Sequence, residues 1–118
     1  MAEKRIFGRF KRRLPLRFGK GHPDVRGNTG NISATGLLVH ANRVFDKGSI
    51  LAIEISLPSG VVCTSEVEVT WVREAPPGTQ GIVLGAMGVR FTGAPPEAYY
   101  AFLVECDRLE NRSKAGSG

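Results

Sequence analysis

Leu51, Ile53, Ile55 and Leu57 alternate with Ala52, Glu54 and Ser56, and the device returns at Val67, Val69 and Trp71 against Glu66, Glu68 and Thr70. An apolar residue at every second position gives one buried and one wet face, the period of a β-strand and not of a helix. Pro58-Ser59-Gly60 stands between the two runs and supplies turn residues, so the pair predicts a hairpin. The same period governs most of the chain from Leu14 onwards. Residues 14–20 and 25–33 pair around Gly21-His22-Pro23-Asp24, and residues 36–41 form a further strand. Val83, Gly85, Met87, Val89 and Phe91 share one parity in a last strand, whose glycines permit a bend or the close approach of a neighbour. Glu74-Ala75-Pro76-Pro77-Gly78-Thr79 reads as a loop, because proline supplies no ladder donor. About six short antiparallel strands predict an all-β chain closed into a small barrel or a bent sandwich, since closure removes exposed edges.

The end of the chain departs from this period. Pro95-Pro96 opens residues 97–110, where Ala98, Phe102 and Cys106 fall four apart and Leu109 three further on, with Tyr99 and Leu103 flanking the stripe. This predicts a C-terminal helix packed on the barrel through that stripe. Residues 1–11 lack periodicity and read as a flexible basic arm, residues 12–110 as the domain, and residues 111–118, polar and Gly/Ser-rich, as a disordered tail. A chain of 118 residues can bury about two-thirds of its unfolded surface, so its core needs neither a metal nor a disulfide. Cys63 and Cys106 have no metal-ligand spacing and form no CxxC pair, which fits reduced thiols in a cytoplasmic protein. No apolar run approaches the roughly 20 residues of a membrane helix, and no signal-peptide stretch follows the basic start, so membrane insertion is not expected.

The net charge is +5, but residues 1–20 hold eight basic residues against Glu3 alone, which leaves the remainder slightly acidic. A basic arm on a near-neutral body points to an anionic ligand, a nucleic acid or an acidic membrane surface. Converging catalytic groups are missing from the pattern. There is no GxSxG, Walker loop or HExxH, and His22 and His40 have no cysteine or carboxylate at ligand spacing, so both read as structural or solvated. Neither an enzyme nor a metal site is expected.

Chemistry concentrates in Arg12-Arg13-Leu14-Pro15-Leu16-Arg17 and in Asn31-Ile32-Ser33-Ala34-Thr35-Gly36. A guanidinium bonds bidentately to phosphate or to the O6/N7 edge of guanine and also stacks on a base. Pro15 stiffens the chain between Arg13 and Arg17, so that both can converge on one ligand. Asn31 and Ser33, two apart, would share one strand face, and Gly36 allows a turn or a positive φ. The same six residues also describe an ordinary polar β-turn.

Taken together, the Arg13/Arg17 pair, then Asn31, Ser33 and Gly36 followed by Leu37-Leu38-Val39, form the RxxxR and [D/N]xSxxG motifs, and the chain resembles a PilZ domain. The resemblance continues into Val69-Thr70-Trp71-Val72 and Gly88-Val89-Arg90-Phe91 and covers about residues 9–110. It implies a bacterial receptor for cyclic di-GMP, the second messenger that moves cells between motile and sessile (biofilm) states. It also implies a six-stranded antiparallel barrel of the split-barrel type whose N-terminal arginine segment folds over the ligand. On the resemblance, Arg13 and Arg17 contact guanines and phosphates, Asn31 and Ser33 hydrogen-bond a guanine, and Gly36 shapes the turn. Arg12, immediately before that pair, would favour two stacked ligands over one. Only 13 residues, 18–30, separate the motifs, so the first hairpin must be compact. Asn31 stands where the family more often has Asp, which implies modest affinity. Trp71 shares parity with Val67 and Val69, which predicts a core position, although an outward indole would stack on a base; Arg9 and Lys11 would help electrostatically or be solvated. Such a receptor signals to an effector protein that the sequence does not identify, and a monomer is the simplest expectation. The rivals are a nucleic-acid-binding small barrel, against which the strands show no basic residues interleaved with exposed aromatics, and a PilZ-like protein adaptor that binds no nucleotide.

Overall fold

The computed structural model describes residues 8–76 and 84–116, with side chains through residue 110. Residues 1–7 of the expected arm, 117–118 of the expected tail, 77–79 of the loop and Val83 of the last strand fall outside the described residues. In chain order come β1 (Pro15–Gly19), β2 (Val25–Ile32), β3 (Gly36–Ala41), β4 (Ile50–Ser56), β5 (Val62–Arg73), β6 (Gly85–Phe91) and helix α1 (Glu97–Gly116). Hydrogen-bonded neighbours run β1-β2-β3-β6-β5-β4, and β4 pairs back onto β1, so the sheet closes into the six-stranded antiparallel barrel that the alternation implied. Closure leaves no strand edge to template a stray chain.

The inward halves of the alternating runs fill the barrel. Phe18, Ile32, Val39, Leu51, Ile53, Ile55, Val67, Val69 and Met87 are all but sealed from solvent, each contributing roughly 1.5–3 kcal/mol by burial. The Pro58-Ser59-Gly60 hairpin is present: Leu57 N–H donates to Val61 O (2.9 Å), and Gly60 takes a φ of +96°, where a side chain would be strained. β5 begins five residues before Val67, because Thr64 and Ser65 interrupt the apolar rhythm without interrupting the pairing of Ile55 with Cys63 and Glu54 with Thr64.

Two features differ from the sequence-based expectation at the barrel's ends. Phe10 exchanges both backbone hydrogen bonds with Ile32 (2.9 Å each) and is buried, so the last part of the expected arm is pinned to the barrel by an apolar side chain. On α1 the buried stripe is Tyr99, Leu103 and Cys106, while Ala98 and Phe102 lie at its margin and Leu109 is exposed. The helix is rotated by one position, and the Tyr99 hydroxyl that this buries finds a partner. It donates to Ser33 O (2.7 Å), and its ring meets Phe91 edge-on at 5.1 Å. The helix also continues past Glu110 to Gly116, since 111–115 hold no proline or glycine to stop it.

Cys63 and Cys106 are free and buried near Tyr99. Burial pushes both thiols and the Tyr99 phenol up; the neighbouring Arg12 partly opposes this for Cys106. The unfolded chain therefore loses these protons before the folded one does. Stability is present below about pH 9 and declines as pH rises above it, the direction set by raised acid pKa values. The unfolding midpoint measured from pH 7 to 11 is expected to fall at the alkaline end, and Tyr99→Phe is expected to flatten that decline while lowering stability at pH 7 by about 1–2 kcal/mol. An equally steep alkaline decline in the variant would contradict the assignment.

Candidate functional site

Two β-bulges set the outer wall of the barrel. In β2 the register slips between Thr29, opposite Val39, and Asn31, opposite Leu38. The extra residue, Gly30, returns Ile32 to the core and turns Asn31 outward; strict alternation would have buried Asn31. In β5 the register slips between Val69, opposite Val89, and Trp71, opposite Gly88. Trp71 is therefore 45% exposed and not in the core, as its parity with Val67 and Val69 predicted. Thr70, the extra residue, secures this bulge by donating from its hydroxyl to Gly88 O (3.1 Å). Gly88 is required beneath the indole, because a Cβ there would fall 2.1 Å from Trp71 Nε1.

Both outward residues enter one groove of about 150 Å³ across β2, β3, β6 and β5, joined there by Arg9, Ser33, Gly36 and Arg90. Arg9 donates to Asn31 Oδ1 (3.2 Å), and Arg90 is paired with Glu68 (2.7 Å) on the neighbouring strand. Among the described residues no carboxylate lines the groove, so its field suits an anion.

Ser33 and Gly36 share the groove for a different reason from the one alternation suggests. Ser33 follows the end of β2 and holds the β2–β3 turn: its N–H donates to Gly36 O (2.9 Å), its hydroxyl donates to the same oxygen (3.1 Å), and its Oγ accepts from Gly36 N–H (3.3 Å). Gly36 has no positive φ; glycine is needed because a Cβ would meet Val89 O at 2.1 Å.

The arginines disperse. Thr29, buried, accepts from Leu14 N–H through its hydroxyl oxygen (2.8 Å) and donates to Arg12 O, so the backbone is clamped on both sides of Arg13. Arg13 is exposed, and among the described residues it has no partner. Arg12 instead reaches α1, where it pairs with Glu110 (3.5 Å) and lies beside the Cys106 thiol. Arg17 lines a second, larger groove of about 650 Å³ together with Arg26, Asn28, His40 and Glu54. The two grooves share no residue.

The sequence profile of the PilZ domain matches residues 3–106. The chain belongs to the PilZ domain family. Among solved structures, the Bacillus subtilis inhibitor of motility MotI/DgrA superposes with a TM-score of 0.71 at 21% identity, over 94% of this chain and 53% of that one. The PilZ domain of Escherichia coli YcgR, solved with c-di-GMP, superposes with a TM-score of 0.65 at 16% identity, over 98% of this chain and all of that one. The chain thus spans about half the length of MotI/DgrA, and at such identities both likenesses speak for the fold. No curated protein matches the chain.

Within a PilZ domain the RxxxR spacing occurs twice here, at Arg9/Arg13 and at Arg13/Arg17. The structure brings Arg9, and not Arg17, to Asn31. The earlier pair leaves 17 residues, 14–30, before Asn31, four more than the later pair. Reading Gly30 as a bulge glycine would have turned Asn31 outward from sequence alone. Trp71 had no such signal, since Thr70 marks its bulge only through a hydrogen bond.

Trp71 is the chain's one tryptophan, so its emission reports on the groove without interference. Gly88→Ala is expected to push the indole off the wall, shifting its emission to the red and raising its quenching by acrylamide while the far-UV spectrum stays that of a β-barrel. Unchanged emission would contradict the indole's placement on Gly88.

Proposed function

We propose that this chain is a cyclic di-GMP receptor whose ligand lies across the Trp71 groove, with Arg9 and Arg13 as its arginine pair. The observation that carries the reading is the reach of Arg9 to Asn31, which joins the arginine segment to the Asn-x-Ser-x-x-Gly turn. A guanidinium at Arg9 supplies a fork for a phosphate or for the O6/N7 edge of guanine. Asn31, with Oδ1 facing Arg9, presents its amide donors to a base. Trp71 offers a face for stacking, worth roughly 1–3 kcal/mol per base. Ser33 and Gly36 keep the turn in shape, and the Ser33 hydroxyl serves the ligand only by exchanging one of its turn bonds. Arg13, unpaired and held by the Thr29 clamp, closes over the other side.

The groove is shallow, so the ligand is held by what folds over it and not by a deep cavity. The backbone around Arg9 and Arg13 is already held by Phe10 and by the Thr29 clamp, so binding has to order their side chains, at roughly 1.5–2 kcal/mol each. Charge-assisted hydrogen bonds of roughly 1.5–3 kcal/mol apiece, with stacking, offset this. The ligand gives the arginines fixed partners and reshapes the surface that a partner protein reads. The output is therefore a non-enzymatic signal passed by a cytoplasmic, monomeric adaptor.

Calorimetric titration with cyclic di-GMP, with GTP and a single-stranded oligonucleotide as controls, tests this. Saturable binding of the dinucleotide is expected. Arg9→Ala and Arg13→Ala should each weaken it at least roughly tenfold, the cost of one charge-assisted contact. Arg17→Ala should change it less than about twofold, as an exposed group outside the site. Silence towards the dinucleotide, tighter binding of the oligonucleotide, or an Arg17→Ala loss equal to that of Arg9→Ala would each overturn the reading.

A further inference from the structure

The larger groove has no role in the nucleotide reading, yet it holds a pair of like charges facing each other across a ladder. Arg17 on β1 stands directly opposite Arg26 on β2, both are exposed, and like charges facing each other across a ladder destabilise it. Glu54 is Arg17's partner position on β4, but among the described residues neither arginine forms an ion pair or side-chain hydrogen bond. Two desolvatable forks thus face a concave wall of about 650 Å³ with nothing to bond. Val62 and Leu84, 54% and 36% exposed, line the same groove as aliphatic contacts.

We propose that this groove is the docking site for a partner protein's acidic extended segment, whose carboxylates bridge Arg17 and Arg26 and whose alternate apolar side chains rest on Val62 and Leu84. The barrel is closed, so a partner cannot add a strand to an edge and must read side chains on the wall. Charge complementarity selects carboxylates, because the bidentate guanidinium geometry matches them. A nucleic-acid backbone fits less well: it needs a track of cations and stacking rings, whereas this groove offers two arginines and aliphatic contacts. The chain's own N-terminal segment is strongly basic and is repelled from the groove. The inference goes beyond the nucleotide reading and stands without it.

The test is NMR shift mapping on the isotope-labelled full chain, with a synthetic peptide alternating aspartate and leucine, the same peptide carrying asparagine for aspartate, and a single-stranded oligonucleotide of equal length. Saturable shifts are expected at the Arg17 and Arg26 side-chain Nε–H groups and at Val62, with none for the asparagine peptide. The Arg17→Gln/Arg26→Gln double variant should weaken peptide binding roughly tenfold, about one charge-assisted contact. Its unfolding temperature should hold or rise, because a like-charge pair has been relieved. Arg9→Ala should leave peptide binding unchanged even if nucleotide binding is lost, which separates this site from the other. Absence of saturable shifts, an equal response to the asparagine peptide, tighter binding of the oligonucleotide at the same resonances, or unaltered binding by the double variant would overturn the proposal.

Discussion

A strand's side chains alternate with a period of two, so a single inserted residue reverses the face of everything after it. This constraint organises the candidate site. The barrel takes Thr29 and Ile32 inward on β2 and Val69 and Val72 inward on β5, pairs three apart that strict alternation would put on opposite faces, and the inserted Gly30 and Thr70 reconcile them. Each insertion turns the next residue, Asn31 or Trp71, to the outer wall. Since β3 and β6 lie side by side between those two strands, both residues arrive at one groove. Packing of the core thus fixes the position of the polar and stacking groups outside it.

The turn that carries the motif is equally shared between fold and site. Ser33 spends its hydroxyl on Gly36, its carbonyl accepts from Tyr99 of α1, and Gly36 fits because β6 leaves no room for a Cβ. A motif that reads as ligand chemistry is here first a means of joining β2, β3, β6 and the helix. Arg12 extends the connection from the other side through Glu110. The Ser33–Gly36 turn and the arginine segment therefore both touch α1, so a change at either is felt by the same helix.

The barrel was legible because its signal is periodic and repeated: Leu51 to Leu57 and Val67 to Val69 declare their faces, and Gly60 and Gly21 mark turns at positive φ. The helix was legible in extent near its start but not in rotation, because Ala98, Phe102 and Cys106 make as regular a stripe as Tyr99, Leu103 and Cys106. A hydrogen bond to Ser33 decides between them, and no local pattern records it. Trp71 was misplaced because parity is counted within a strand, while its bulge is defined against the neighbouring one. Asn31 and Ser33 meet in one groove through a bulge and a turn, not through a shared strand face. For the arginines, spacing alone admitted two registers, and the contact of Arg9 with Asn31 distinguishes them.

The charge of the molecule is divided in a way that the net value conceals. Arg9 belongs to a groove that no carboxylate lines among the described residues, Arg12 to the helix, and Arg17 to a second groove beside Arg26 and Glu54. The account stands on the first of these divisions, namely that the groove between the two bulges receives the guanine. The most direct measurement is an isotope-filtered nuclear Overhauser experiment on the labelled protein with unlabelled cyclic di-GMP. The account predicts contacts from the guanine H8 proton to the Trp71 indole and the Leu38 methyls. Contacts to Val62 and Leu84 in the larger groove, with none to Trp71, would contradict it.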